Sequence, residues 1–262
     1  MTQTPIDKAH AAMEAHPEDD TARLRFYERV ADAELFLLLL EEPQGDDIAP
    51  QVITLPEATF VLAFDTEDRL SEFVGETAPY AALSGRIIAG MLAEQGIGLG
   101  LNLEIAPSAM LLPPEAVAWL SNTLGHGPEE VEERISEFTS PKGLPETLLT
   151  ALDEKLSTTA GLAQSAYLVG VVYENGTRGH MLGFVDALDQ AKPALAKAAS
   201  EALTFSGVEA GAMDVGFFET SDATTALLAR AGLRFELPQA QELQQLTMTT
   251  PGMDPEKPPK LK

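Results

Sequence analysis

The chain has 262 residues, 45% hydrophobic and 22% charged, with a formal net charge of −24 and no cysteine. These proportions belong to a folded globular protein and exclude collagen-like, coiled-coil and wholly disordered chains, while the length exceeds one ordinary compact domain and favours two. The missing thiol excludes disulfides, thiolate zinc sites, iron–sulfur clusters and a cysteine nucleophile, and the excess of carboxylates opposes nucleic acid and anionic lipid, whose binding needs Lys and Arg to replace counterions.

Two helices are expected first, over 11–17 and 20–33, the second with Leu24, Tyr27, Val30 and Ala31 on one face. The N-terminal stretch carries no basic start followed by an apolar run, and the longest apolar run, Leu35 to Leu40, is too short to cross a bilayer. A soluble cytoplasmic protein is the expectation. That apolar run reads as a buried strand over 34–40, and two more strands follow over 51–55 and 58–64. Asp65 and Thr66 stand where a helix over 67–74 needs its cap, and Glu67 and Asp68 suit the positive end of its dipole. A strand over 79–83 leads to Ser84, which caps a helix closing at Gly96. A strand over 97–103 and a helix opened by Pro113 and Pro114 complete a first domain, residues 1–125.

Residues 126–142 read as an acidic linker with a small helical pattern between proline and glycine punctuation. A second domain, 143–237, begins with a helix over 144–158. Strands on either side of Asn175 and Gly176 carry the strongest short hairpin signal. A helix over 189–203, a strand over 212–219, a helix capped by Ser221 and a strand over 233–237 follow. Beyond Pro238 apolar periodicity stops, so residues 238–262 are expected to form a disordered tail. The fold class is therefore α/β, with mixed sheets in two small domains. Each runs helix, strand, strand, helix, strand, helix, strand, which fits either two similar modules or convergence on a common pattern.

The charge is uneven: residues 1–125 hold 6 basic and 21 acidic side chains, a net −15 out of −24. Such a surface is either a solubility device or a docking face for a basic partner. The four histidines, His10, His16, His126 and His180, show no metal-ligand or catalytic spacing. The glycines of residues 96–102 follow a helix and enter a strand, the reverse of a phosphate-binding loop. No nucleophile elbow occurs, and the acidic clusters lack the alternation of a calcium loop. No catalytic, cofactor-binding or metal residues are therefore assigned, and no cofactor is expected. Tyr80, Arg86 and Asn102 are the polar exceptions, placed by strand ends where they either shape a groove at the sheet edge or make ordinary turn and capping bonds.

The stretches RLRFYERVADAELFLLL, LAFDTEDRLSEF, PYAALSGRIIAGML, GLGLNL and LLPPEAVAWL together resemble the N-terminal domain of the SseB family, bacterial proteins named for enhanced serine sensitivity. LPETLLTALDEKLS, AYLVGVVYENG and LLARAGLRFEL resemble that family's C-terminal domain. The resemblance implies a cytoplasmic two-domain protein and brings no catalytic residues; a link to serine metabolism rests on the family name alone. The expected function is a non-enzymatic adaptor or regulatory module that binds a protein partner, one of basic character in the electrostatic version. The alternative is a small-ligand sensor or enzyme whose site lies between the domains. Oligomeric state is not readable.

Overall fold

The computed structural model describes residues 3–43, 48–127, 134–208 and 213–239. Helix α1, Pro5–Ala15, starts six residues before the expected 11–17 because Thr4 and Asp7 form a reciprocal capping box with Pro5 in the first turn. Helix α2, Asp20–Asp32, is capped by Asp19. Strands β1 (Glu34–Leu38), β2 (Val52–Thr54) and β3 (Thr59–Phe64) precede α3, Glu67–Val74, whose first turn is closed by the Thr66 side chain. Strand β4, Tyr80–Ser84, runs directly into α4, Gly85–Gln95, with Ser84 as cap and Gly96 left-handed at φ 65°. Strand β5 (Gly98–Leu101), β6 (Met110–Leu112) and α5 (Pro114–Gly125) finish the domain; β6 had no expectation in the sequence.

These strands form one sheet in the order β4-β1-β3-β5-β6, with β2 also paired to β3. Only β3 and β5 are parallel. One face, with Leu35, Leu37, Val61, Ala63, Leu99 and Leu101, packs beneath α1, α2, α4 and α5. On the other face, Leu38, Leu62 and Phe64 meet Leu70 of α3. Alternation along each strand sends successive side chains to opposite layers, so both faces are covered.

In the second domain, β7 (Ile135–Thr139) lies inside the stretch expected to be linker, where a strand stands in place of the expected helical pattern. It reaches its place by pairing antiparallel with β8, Ser165–Tyr173. Helix α6, Glu146–Leu156, lies between them. Strand β9, Arg178–Val185, forms the expected hairpin with β8, turning at Gly176 with φ 85°. Helix α7, Lys192–Phe205, strand β10, Asp214–Phe218, helix α8, Ala223–Ala231, and strand β11, Leu233–Phe235, follow. The sheet order is β10-β9-β8-β11, with β7 also on β8. Helices α6 and α7 cover Ala166, Leu168, Leu182 and Phe184, and Leu228 of α8 packs with Val169, Val171 and Met181 opposite. The expected tail lies, past residue 239, outside the described residues.

The strand orders separate the two halves. In the first, the strand after the middle helix, β4, lies antiparallel beside β1; in the second its counterpart β10 lies parallel beside β9. The shared order along the chain is thus not a shared topology, and the halves are not copies of one module. The βαβ unit β9-α7-β10 makes an adjacent parallel crossover, whereas β3-α3-β4 passes over β1.

The helical layers of the two domains meet. Phe205, at the end of α7, is fully buried within the first domain's core. Its ring stands edge-on to Trp119 of α5 at 6.4 Å, and Trp119 stands edge-on to Tyr27 of α2 at 5.2 Å.

Candidate functional site

Around that aromatic contact, α2 places Arg25, Glu28, Arg29 and Asp32 at i, i+3, i+4 and i+7, one stripe of a helix facing the second domain. Lys155 of α6 reaches across to Asp32 at 2.6 Å, to Glu28 at 3.4 Å and to Glu201 of α7 at 3.0 Å. Arg86, in the first turn of α4, pairs with Asp32 at 2.5 Å and with both oxygens of Glu201 at 2.6 and 2.7 Å. Arg25 and Arg29 both hold Glu154 of α6. Four acids and four bases from four helices thus form a formally neutral seam between the domains.

At the centre of the seam Glu28, Lys155 and Glu201 are buried. Burial pushes Glu28 above the usual carboxyl range, and the nearby Asp32 adds to the rise against the pull of Lys155 and Arg29. Burial alone would raise Asp32 and Glu201 as well, but Lys155 and Arg86 hold both below their ordinary values. Lys155, which burial alone would lower, is raised by Asp32, Glu28 and Glu201. Hydrogen bonds to Glu201 lead in keeping Arg86 protonated.

A second network lies at one end of the first sheet. Arg69 of α3 is 3% exposed and donates to both oxygens of Asp7 at 3.1 and 2.5 Å and to Asp65 at 2.7 Å. Thr4 donates to Asp65 at 2.6 Å, and Ser108 to Asp7 at 2.6 Å. Asn102, fully buried with a left-handed φ of 50°, donates to Ser108 and accepts the Asp65 amide, each at 3.0 Å. Burial would raise the Asp7 carboxyl, but the bonds from Arg69, Ser108 and the Thr4 amide hold it at about 2. The fork of Arg69 suits this two-carboxylate recognition. With its one base turned inward, the charged groups that α3 presents to solvent are all carboxylates: Glu67 and Asp68, then Glu72, with Glu76 just past its end, are exposed.

Tyr80, Arg86 and Asn102 therefore occupy three different places instead of one groove. Arg86 joins the interdomain seam, Asn102 ties two loops inside the first domain, and Tyr80 donates to Glu67 at 3.0 Å while its ring stands edge-on to Phe36. Among the histidines, His10 stands edge-on to Phe26, and ring nitrogens of His126 and His180 lie against the carbonyls of Asn122 and Lys142. Among the described residues, no group of three or more His, Asp or Glu is placed to hold a metal ion. No helix there is long and apolar enough to cross a membrane.

Residues 7–119 match the family model of the SseB protein N-terminal domain. The first domain is an SseB N-terminal domain. The match runs from Asp7, the anchor of α1, to Trp119, the ring that receives Phe205. No curated protein and no solved structure matches the chain. The SseB domain supplies Arg25, Glu28, Arg29, Asp32 and Arg86 to the seam, whereas Glu154, Lys155 and Glu201 lie outside the matched stretch.

The seam was missed in the sequence because a charged stripe on a helix ordinarily faces water. Its signal is the alternation of sign at Arg25, Glu28, Arg29 and Asp32, on a helix whose Phe26 and Val30 are also buried. A helix with apolar residues on more than one side has little surface left for solvent.

Proposed function

We propose that this SseB-family protein is a non-enzymatic adaptor, whose two domains dock as one body and whose α3 carboxylates receive a basic protein partner. The observation that carries this reading is the inward turn of Arg69. It pairs with Asp7 and Asp65 inside the domain and leaves the charged groups on the outer face of α3 all negative. Complementary charge of that kind raises association rates and selects partners by sign. The same economy supports an adaptor over a ligand site between the domains, since Lys155, Arg86 and Phe205 are each engaged with partners across that junction.

The test is affinity capture with the parent and with the variant Glu67→Gln, Asp68→Asn, Glu72→Gln, Glu76→Gln. Exposed charges are screened over about 10 Å at ~0.1 M salt and about 3 Å at ~1 M. A partner retained by the parent at the lower salt, released at the higher, and missed by the variant is the expected result. Equal capture by both proteins, or capture indifferent to salt, would overturn the reading.

A further inference from the structure

We propose that the first domain holds a binding site for a small, neutral, largely apolar molecule beneath the C-terminal end of α4. The site arises where β3 changes partner. Its C-terminal half pairs with β1, Leu37 opposite Ala63, and its N-terminal half with β2, Val52 opposite Val61. A single bridge between Leu39 and Pro50 joins the two arrangements. Helix α4 covers this step with Ile88 and Leu92 and then stops, since left-handed Gly96 turns the chain away into β5. A pocket of about 160 Å³ remains.

Its floor is Leu37, Val61, Ile88 and Leu92, each no more than 4% exposed, and Val52 and Gln95 stand at its mouth. An apolar cavity of about 150 Å³ accepts a molecule of benzene's size. Among the described residues no charged side chain lines the pocket, so a charged ligand would lose its hydration there without an ion among them to pair with. The Gln95 carboxamide offers both N–H donors and a carbonyl acceptor, the usual arrangement of an apolar site oriented by a few polar groups. The ligand class that fits is a single ring or short branched chain bearing one hydroxyl or N–H group.

The experiment follows the methyl resonances of the full chain during titration with phenol, toluene and benzoate. Phenol and toluene should shift the Val61 and Ile88 methyls saturably, and benzoate should leave them in place. A net hydrogen bond is worth about five-fold in affinity, so phenol should exceed toluene by about that factor, and Gln95→Leu should remove the advantage. Val52→Phe, at a position 41% exposed, fills the mouth without entering the core and should abolish both shifts at unchanged melting temperature. Absence of saturable shifts, equal shifts in Val52→Phe, or benzoate binding as well as phenol would each overturn the proposal.

Discussion

Replacing Lys155 with methionine probes the seam at its centre. The ammonium is 7% exposed and lies within 3.4 Å of three carboxylates. Asp32 and Glu201 keep Arg86 after the change, so the loss falls on Glu28, 3% exposed, for which Lys155 is the only ion pair among the described residues. Leaving one buried charge without its partner costs about 3 kcal/mol. For a folded unit of this size, each kcal/mol moves the melting temperature by about 2–4 °C, giving a fall near 10 °C at pH 7 by thermal denaturation. The pH dependence has a definite sign. A carboxyl raised in the folded state is stabilising in its neutral form and loses that contribution as pH rises through its folded value. The deficit of Lys155→Met relative to the parent should therefore shrink as pH falls from neutrality through the raised value at which Glu28 takes up a proton. Adding Glu28→Gln should return at least half of the lost stability. A single variant within about 1 kcal/mol of the parent, or a double variant as unstable as the two singles summed, would refute the reasoning.

The Asp7 carboxyl, lowered from 3.8 to about 2, contributes about 2 kcal/mol present above pH 4 and lost as pH falls toward 2. Asp7→Asn should flatten that acid limb of the stability profile and lower stability at neutral pH. Phe205→Ala should cost about 4 kcal/mol. Because Trp119 is the sole tryptophan, the loss of its contact with Phe205 should also change the intrinsic fluorescence, and an unchanged spectrum would count against the contact. Two glycines on α4 make a matched pair. A Cβ on Gly85 would lie 1.8 Å from the Val30 carbonyl oxygen, whereas one on Gly90 would meet nothing within 4 Å. Gly85→Ala should prevent a stable fold, and Gly90→Ala should raise stability by up to about 1 kcal/mol in denaturant titrations.

The local elements were legible where a turn residue or a cap fixes the backbone. Thr66, Ser84, Gly96 and Gly176 each stand where the sequence placed a boundary, because their chemistry acts within four residues of the chain. Sheet order was not legible. Nothing near β4 says that it will pair with β1 and not β3, since that choice is made by how α3 and α4 pack on opposite faces. Strand β7 was hidden for a related reason: Ile135 and Phe138 alone mark an inward face, and the acidic run before them suggested a solvated helix. Of the three polar residues singled out, each proved structurally engaged, but with partners 6 to 115 positions away for Asn102 and Arg86. Long-range pairing of that kind has no signature in local spacing. The seam shows the limit most clearly, because the signs on α2 are visible while the opposing Lys155 and Glu201 become relevant only once the domains meet.

The anchor of α1 also sets a timetable for synthesis. Asp7 waits for Arg69, 62 positions later, and for Ser108, 101 positions later. At about 5–20 residues added per second, the nascent chain spends roughly 5–20 s with that carboxylate unclosed and with Ile6, 1% exposed in the finished fold, open to chaperones.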